Sequence, residues 1–445
     1  MRATDLVLTK ERKLRILIIS QYWSPESNVP QRRWEWIASI LKSQGHEIRV
    51  IAPPPASVRR ASIKHWWSAS LFRPRTEEEK NDAVDLVIRS GFIPCGGSLI
   101  QRAIGQAGIA LGSLYAVLVE FGFRKSWKPE LVIGTVPALP TAVVAFVAAK
   151  ISRAKLAIDL RDAWPDLLAY SSEWNKGIKS ASLKHKILSR GPIQFVSFVV
   201  ARTLYYVLGK AQGVIFTAED LKLDFQNRPQ LRKNSKLLNN MVTIRNVFPR
   251  EGLGQKKAPG SGEGPLKVLY AGTIGRAQRL QNVIDAAVIA AERGVPIELK
   301  FVGAGDARLS VKDYAKQRKV PATFIKRKSA DSISDYYDWA DTALVHLTDW
   351  KPLERTVPSK LFELMEYGVP ITGVVAGESV RLIESLEAGY AVPPESPEAL
   401  ANLWCALAQG ELSLKASERA KHWVENEQNN VVPSLIAKFL KQMES

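Results

Sequence analysis

A short polar stretch in the C-terminal half of the chain has the residue types and spacing of a phosphate-binding site. It spans residues 357–370 and predicts a loop, a helix with Ser359 as its N-cap, and a stop at Gly368. The first turn of such a helix presents free N–H groups and a partial positive charge, to which Lys360 adds a full charge. One turn further, Glu363 could accept hydrogen bonds from hydroxyls attached to the phosphate. An ordinary capped helix with a solvated lysine fits these residues as well, so the stretch alone does not decide between the two.

A second turn could face the same phosphate. It follows an expected strand at 268–271 and reads GTIGR, so its glycines would let the backbone approach a phosphate and its arginine could clamp one with two hydrogen bonds. Alone, such a turn is more often a tight connection between a strand and a helix. Together with the helix that carries Lys360, near the carboxyl end of another strand of the same sheet, it favours a diphosphate site. The candidate contacts in and just beyond this turn are Gly272, Thr273, Arg276 and Arg279.

The elements that would position these residues alternate between buried strands and amphipathic helices. A continuous apolar run at 15–20, a helix at 31–43 and a strand at 48–52 form a β-α-β unit, which indicates a parallel sheet covered by helices on both faces. A similar alternation begins again near residue 268. The predicted fold class is therefore α/β, with two doubly wound, Rossmann-like domains that face each other across a ligand-binding cleft.

A flexible polar stretch at 250–264 is the clearest linker in the chain. It predicts an N-terminal domain at 14–249 and a C-terminal domain at 265–418. The remaining segment, 419–445, contains a final helix that could return to the first domain.

Composition limits the class of protein. The chain has 445 residues, 46% hydrophobic and 24% charged, which suits a folded protein of two or three domains. Its two cysteines, Cys95 and Cys405, lie far apart with no metal-ligand spacing, which fits a reducing compartment and gives no zinc site. The net charge of +18 indicates an anionic partner, which could be a phosphate-rich ligand, a nucleic acid or an acidic membrane surface.

Membrane contact is expected to be peripheral. The first 13 residues are charged and show no secretory signal, and the apolar stretches at 104–123, 131–151 and 193–208 are interrupted by glycine, proline or charge. The segment 53–82 mixes basic residues with Trp66 and Trp67, a combination suited to lipid headgroups, although a solvated insertion whose aromatics fold onto the domain fits equally well.

The pattern as a whole resembles the GT-B glycosyltransferases of the retaining family-4 type. Within that family it is most similar to the bacterial transferases of N-acetylated sugars, such as N-acetylfucosamine, in surface-polysaccharide assembly. The matching pieces, in order, are 16–33 (ILIISQYWSPESNVPQRR), 129–140 (PELVIGTVPALP), 159–166 (DLRDAWPD), 270–280 (YAGTIGRAQRL), 339–347 (WADTALVHL) and 358–370.

This resemblance implies a nucleotide-sugar donor, with UDP as the expected nucleotide, and a glycan or lipid-linked acceptor. It implies that Glu363 holds the ribose hydroxyls and that Pro358, Ser359 and Lys360 face the phosphates. It also implies a cytoplasmic enzyme, peripherally associated with the inner face of the membrane. No cofactor is expected.

The sequence departs from the family at two places. The usual pair of glutamates spaced E-x7-E is incomplete, because Arg355 stands eight positions before Glu363 and Glu354 one further back. The loop after the first strand has Ser27 and Asn28 where relatives tend to have glycine; Asn28 is still expected to contact the substrate.

The chemistry requires stabilisation of a departing nucleotide diphosphate, for which Arg276, Lys360 and the helix start are the candidates. No Asp-x-Asp pair occurs in the chain, so a metal-independent reaction is expected, and the resemblance implies retention of configuration with the leaving phosphate helping to deprotonate the acceptor. Asp162 is the candidate carboxylate near the acceptor, and Arg161 could contact a phosphate there. A structural ion pair is the alternative for these two residues.

Two other functions remain as alternatives. A GT-B-fold epimerase would act on a UDP-sugar without an acceptor. A nucleic-acid-binding protein would explain the charge, but the chain shows no recognised nucleic-acid module and its basic residues are spread over both domains, so no nucleic-acid partner is expected. A nicotinamide dehydrogenase is disfavoured because neither domain opens with the dinucleotide fingerprint.

Overall fold

The structure is a computed structural model of the chain and describes two α/β halves. The described residues are 12–26, 28–59, 75–77, 83–94, 99–124, 127–136, 139–169, 192–232, 234–250, 264–328, 332–414 and 416–444. The N-terminal half is built on one sheet and the C-terminal half on another. They are referred to below as the N-terminal and C-terminal domains.

The first sheet has eight strands in the order β3-β4-β2-β1-β5-β6-β7-β8. Neighbouring strands are parallel except β3 and β4, which are antiparallel. Strand β1 is an uninterrupted apolar run because helices cover both of its faces, and Ile16, Leu17 and Ile18 are fully buried. The strands are β1 (Arg15–Ile19), β2 (Glu47–Ala52), β3 (Arg75–Glu77), β4 (Leu86–Arg89), β5 (Leu131–Val136), β6 (Lys155–Leu160), β7 (Gly213–Phe216) and β8 (Met241–Thr243).

The first helix of this domain begins with a well-defined cap. The Asn28 side chain accepts a hydrogen bond from the Gln31 backbone N–H (3.0 Å), and the Gln31 side chain accepts one from the Asn28 N–H (3.4 Å). This reciprocal capping starts the first helix two residues earlier than the sequence predicted. The helices are α1 (Val29–Ser43), α2 (Ala56–Arg59), α3 (Leu99–Val117) with a π-helical extension (Leu118–Arg124), α4 (Pro140–Ser152), α5 (Asp166–Ala169), α6 (Pro192–Lys210), α7 (Glu219–Gln226) and α8 (Ser235–Asn239).

The second sheet has six strands, all parallel, in the order β11-β10-β9-β12-β13-β14. They are β9 (Leu266–Ala271), β10 (Ile297–Val302), β11 (Ala322–Ile325), β12 (Thr342–His346), β13 (Ile371–Val374) and β14 (Gly389–Val392). The helices among them are α9 (Gln281–Glu292), α10 (Arg308–Gln317), α11 (Ser334–Trp339), α12 (Ser359–Tyr367), α13 (Glu378–Ser385) and α14 (Pro397–Ala408), with short 3₁₀ turns at Arg276–Gln278 and Lys351–Arg355.

Both sheets reverse their strand order beside a central strand. Strand β1 lies between β2 and β5, and β9 lies between β10 and β12. In doubly wound sheets the crevice for a ligand opens at the carboxyl end of such a strand, because the connections on either side leave toward opposite faces. The loop after β1 and the turn after β9 are therefore the places where the fold favours a site.

The C-terminal segment crosses from the second domain to the first. Helix α15 (Glu418–Asn426) packs on α12, where the rings of Phe362 and Trp423 stack with centroids 6.0 Å apart. A π-helical turn (Glu427–Val431) leads to α16 (Val432–Glu444). This last helix lies against β7, since a Cβ added at Gly213 would come within 2.6 Å of the Phe439 ring.

The predicted α/β class with two doubly wound domains is confirmed. The expected strands and helices occur in the expected order, with ends shifted by a few residues. The sequence did not predict helix α3, whose apolar residues had been considered only as a membrane span. It also did not predict strands β3 and β4 at one edge of the first sheet or β8 at the other.

Candidate active site

A cavity of about 480 Å³ lies between the two domains, a size typical of small-ligand sites. The N-terminal domain contributes Asn28, Val29, Pro30 and Arg32, from the loop after β1 and the start of α1. The C-terminal domain contributes residues that follow β9, β10 and β12, together with the start of α12. The cavity therefore opens where both sheets reverse their strand order.

The start of α12 differs in one detail from the sequence prediction. Its N-cap is Pro358, in an extended conformation (φ −62°, ψ 132°), and Ser359 is the first helical residue, so the assignment of Ser359 as the cap was wrong. No side-chain hydrogen bond caps this helix within the part of the chain that the structure describes. Because Pro358, Ser359 and Lys360 line the cavity, the first-turn N–H groups can serve a ligand there.

Glu363 lies behind the cavity wall and is bonded within the protein. Its carboxylate accepts hydrogen bonds from Lys360 Nζ (2.9 Å) and the Tyr337 hydroxyl, and it pairs with Arg250. Burial alone would raise the pKa of Glu363, but the charges of Lys360 and Arg250 hold it below its usual value. Glu363 is only 5% exposed. Glu363 itself does not line the cavity, whereas its partners Arg250 and Lys360 do.

The cavity walls are strongly basic. Burial lowers the pKa of the Arg32 guanidinium, and the charges of Arg250 and Arg327 lower it further, because these cations lie close together. Burial also lowers the pKa of His346 to about 3, so this ring is neutral and adds no charge. A small cavity with this excess of cations favours a ligand with several negative charges. The cationic side chains that line it are Arg32, Arg250, Arg327, Lys328 and Lys360.

Four of these five cations were missed by the sequence analysis, which named only Lys360. Arg32 lies in the stretch 16–33, on which the family resemblance partly rests, and one turn into α1. Its position beside the loop after β1 could therefore have predicted that it contacts the ligand. Arg250 is the first residue of the predicted linker. Arg327 and Lys328 follow β11, and nothing in their local sequence distinguishes them from solvated residues.

The turn after β9 contributes its backbone rather than its arginines. Gly272 and Thr273 line the cavity, whereas Arg276 and Arg279 are not among the described residues that do. Arg279 is paired with Glu395, which also accepts a hydrogen bond from the Thr348 hydroxyl (2.6 Å). Arg279 was predicted to face the phosphates. In the structure its side chain instead pairs with Glu395 in the loop after β14 and does not line the cavity.

On the N-terminal side, Asn28 lines the cavity while its side chain caps α1 and donates to Glu26 Oε2 (2.8 Å). Arg161 and Asp162 follow β6 at its carboxyl end and lie outside the described cavity lining. Burial lowers the pKa of Arg161 and raises the pKa of Asp162. The Nε and Nη1 groups of Arg161, which is 7% exposed, have no hydrogen-bond partner among the described residues.

Arg355 occupies the position of the missing first glutamate and faces the other domain. Its guanidinium pairs with Asp166 (2.9 Å) and Asp224 (2.5 Å). Arg228 pairs with the same two carboxylates, so two arginines and two aspartates form an interdomain cluster beside a second cavity of about 510 Å³. At the position where the family resemblance implies a carboxylate, this chain has an arginine that joins the two domains.

Replacing Arg355 with methionine is expected to lower kcat/KM about three- to tenfold, because each partly exposed interdomain bond contributes modestly to holding the two domains together. Arg228 still neutralises both aspartates, so the N-terminal domain should keep its stability. Small-angle scattering should show a wider separation of the domains.

The matched control for this variant is Arg381→Met, which removes an interdomain pair with Asp220 whose arginine is 60% exposed. It should change kcat/KM little. Arg355→Glu restores the family residue but places a third carboxylate beside Asp166 and Asp224, so it should be poorer than methionine. Equal activity of the two variants would contradict this role for Arg355.

Two doubly wound domains that face each other across a basic cleft form the GT-B architecture of glycosyltransferases. Residues 254–429 match the family described as Glycosyl transferases group 1. The chain is a GT-B glycosyltransferase, and its C-terminal part is a group 1 glycosyltransferase domain.

Comparison with known proteins gives the same class. The chain is 26% identical over 428 residues to a protein of Escherichia coli (strain K12) named as a colanic acid biosynthesis glycosyl transferase, WcaI, covering 93% of this chain and 97% of WcaI. Sucrose-phosphate synthase from Thermosynechococcus elongatus has a similar fold, with a TM-score of 0.67 and 16% identity, covering 97% and 98% of the two chains. Anabaena HepE in complex with UDP-glucose gives a TM-score of 0.61 and 14% identity, covering 96% and 99%.

Proposed function

We propose that the protein transfers a sugar from a nucleotide sugar, with UDP as the expected nucleotide, to a glycan or lipid-linked acceptor in cell-surface polysaccharide biosynthesis. The observation that carries the donor half is the interdomain cavity, which combines five cationic side chains with the uncapped start of α12. The naming of WcaI for colanic acid biosynthesis and the UDP-glucose bound to HepE support the proposal.

In this proposal the diphosphate lies between α12 and the N-terminal domain. Lys360 and the first N–H groups of α12 meet it from one side, and Arg32 meets it from the other. The nucleoside extends toward Glu363, and its ribose replaces Arg250 as a partner of that carboxylate. The released Arg250 is then free to bind a phosphate oxygen. A single movement of Arg250 would therefore open Glu363 to the ribose and add a cation at the diphosphate.

The transfer step breaks the bond between the sugar's anomeric carbon and the β-phosphate oxygen and forms a bond to the acceptor oxygen. Negative charge accumulates on the leaving diphosphate, where the cations of the cavity stabilise it. With retention of configuration, the acceptor attacks from the face that the phosphate leaves, and its proton passes to a phosphate oxygen. We propose that this step needs no metal ion.

The acceptor is proposed to lie near the carboxyl end of β6. Burial raises the pKa of Asp162, so this carboxyl group can hold a proton at a higher pH than an exposed aspartate and can orient the acceptor hydroxyl. The unpartnered nitrogens of Arg161 suit an anionic group such as the phosphate of a lipid-linked acceptor.

The donor half is tested by thermal unfolding in the presence of a panel of UDP- and GDP-sugars. We expect UDP and one or more UDP-sugars to raise the Tm and GDP-sugars to leave it unchanged, because ligand binding to the folded state alone stabilises it. If only GDP-sugars raise the Tm, the donor nucleotide is GDP and not UDP. If no nucleotide sugar raises the Tm, the cavity is not the donor site. Release of an epimerised sugar nucleotide without a transfer product would indicate an epimerase.

The location of this reaction is proposed to be the inner face of the cytoplasmic membrane, where a lipid-linked acceptor would be found. The contact predicted through Trp66 and Trp67 lies outside the described residues. A different surface, described next, has the properties that such a contact needs.

A further inference from the structure

The exposed large hydrophobic side chains of this protein are concentrated on one side of the N-terminal domain. Of the eleven among the described residues, eight lie on α3 with its π-helical extension, on α4 and on α6. Single exposed hydrophobic residues are normal on a soluble surface, but a contiguous group marks an interaction site. The eight are Ile104, Leu111, Leu118, Phe123, Val143, Phe198, Val199 and Tyr206, and together they are called the apolar helix face.

The spacing of these residues shows that α3 with its extension and α6 each contribute one stripe. Ile104, Leu111 and Leu118 recur every seven residues, which is about two helical turns, so they lie in line along one side of α3 and its extension. Val199 and Tyr206 have the same spacing on α6. Helix α4 contacts both of its neighbours, and Phe146 on α4 meets Tyr206 edge to face with centroids 5.8 Å apart. The stripes therefore lie side by side.

The charges on these helices are of one sign. Helices α4 and α6 contain no acidic residue, and the one carboxylate of α3 and its extension, Glu120, is buried at 8% exposure. The Nζ atom of Lys150 lies 5.8 Å from the centroid of the Phe146 ring. The Nζ atom of Lys210 lies 5.8 Å from the centroid of the Tyr206 ring. Each lysine stem thus follows an aromatic ring to the rim of the face, as lysines do at a boundary between apolar and polar surroundings.

The helix at the edge of this face cannot cross a membrane as folded. The segment Ile104–Phe123 is long and apolar enough to span a bilayer by length and composition, with a mean hydropathy of 1.5, but half of that window is buried inside the domain. A helix with one buried side and one exposed apolar side can instead lie in the membrane surface.

We propose that the apolar helix face docks the N-terminal domain on an anionic lipid bilayer. Apolar side chains enter the boundary between headgroups and acyl chains, and Lys150, Lys210 and the exposed Arg202 meet lipid phosphates. A second copy of this chain is a poor occupant, because two such faces would bring like charges together. The proposal rests on the proposed membrane location and names the surface responsible for it.

Flotation with vesicles of phosphatidylcholine, with or without phosphatidylglycerol, tests the proposal. The full-length protein should float with the anionic vesicles. Phe198→Glu and Leu111→Glu should each lower its partitioning about tenfold or more, because each removes an apolar contact with the bilayer and adds a charge that anionic lipids repel. The matched control is Leu309→Glu on α10 of the other domain, where Leu309 is 70% exposed; it should float like the wild type.

A second pair of variants tests the charge. Lys150→Glu and Lys210→Glu should each lower binding to anionic vesicles about fivefold or more and leave binding to neutral vesicles unchanged. These residues are exposed, so the fold should persist, and an unaltered Tm with intact protection by UDP would show this. If UDP does not raise the Tm of the wild type, the proposed donor site is wrong. Flotation still tests whether the apolar helix face binds the bilayer.

Three results would overturn the proposal. The first is wild-type flotation of Phe198→Glu and Leu111→Glu. The second is equal binding of the wild type to neutral and anionic vesicles. The third is a concentration-dependent dimer, formed without lipid and abolished by Phe198→Glu, which would make a second copy the occupant.

Discussion

Replacing Lys360 with methionine is expected to weaken UDP binding about ten- to hundredfold while leaving the fold intact. A charge-assisted hydrogen bond to a phosphate contributes about 1.5–3 kcal/mol, and this variant removes it. Methionine keeps most of the length of the lysine stem. Before UDP binds, Glu363 retains Arg250 and Tyr337 as partners, so the buried carboxylate of the free protein keeps a counter-charge.

Calorimetric titration of UDP measures this effect. Lys312→Met, at an exposed position on α10 of the same domain, is the control and should bind like the wild type. The affinity of the wild type should fall with added salt more steeply than that of Lys360→Met, because the variant has one cation fewer at the phosphates. Wild-type affinity in Lys360→Met would remove the assigned phosphate site.

The pH dependence provides a second check on Lys360. Burial lowers the pKa of its ammonium group, and a lysine is charged only below its pKa. The contribution of Lys360 to UDP affinity should therefore be complete below this lowered pKa and be lost as the pH rises through it. Lys360→Met should lack this loss. An identical pH profile in the two proteins would show that another group titrates.

Glu363→Ala should affect thermal stability as well as UDP affinity, unlike Lys360→Met. It removes the proposed ribose contact, but it also leaves Lys360 and Arg250 close together without their carboxylate. Breaking a buried ion pair by removing one partner is strongly destabilising. We therefore expect this variant to lose both UDP affinity and thermal stability, whereas Lys360→Met loses affinity alone.

The fold was predictable because its strands are buried on both faces. Such strands are continuous apolar runs separated by amphipathic helices, and this pattern is visible in a single sequence. Helix α3 was not predictable in this way, because its apolar composition, broken by glycines, suggested an interrupted membrane span. In the structure a Cβ at Gly112 would come within 2.1 Å of the Gly91 carbonyl oxygen, so this glycine permits close tertiary packing.

The candidate site was predictable only where it is local in sequence. The start of α12, Lys360 and the Gly272-Thr273 turn each have a local pattern, and the structure places all of them at one cavity. Arg32, Arg250 and Arg327 come from distant parts of the chain, so only the tertiary fold brings them there. The direction of the Arg279 side chain depends on Glu395, more than a hundred residues away.

The motif at 159–166 also could not be interpreted fully from local sequence. The first two of its three aspartates, Asp159 and Asp162, are three residues apart, and sequence alone does not show which of these two is structural. In the structure Asp159 accepts hydrogen bonds from Arg33 (3.0 Å) and from the Trp34 indole (2.7 Å), and the side chains of Arg33 and Asp159 are fully buried. This pair is structural, whereas Asp162 lies beyond the strand and remains the candidate for contact with the acceptor.

Arg33→Met is accordingly expected to destabilise the protein by about 3–5 kcal/mol, the usual cost of removing one partner from a buried ion pair. Arg33 also donates to the Ile244 carbonyl oxygen (2.8 Å) and to Asn246 Oδ1 (3.3 Å), so the variant takes a donor from both. Urea unfolding followed by tryptophan fluorescence measures the change. The control is Arg419→Met, which removes an exposed pair with Glu387 and should cost less than about 0.5 kcal/mol.

A double variant separates charge from packing as the cause. In Arg33→Met with Asp159→Asn the buried side chain is neutral and can still accept from Trp34, so part of the lost stability should return. No recovery would mean that the cost lies in the carbonyl groups and the packing around Arg33. If Arg33→Met proves as stable as Arg419→Met, the buried pair does not hold α1 against β6, and the loop after β1 must owe its position in the donor cavity to other contacts.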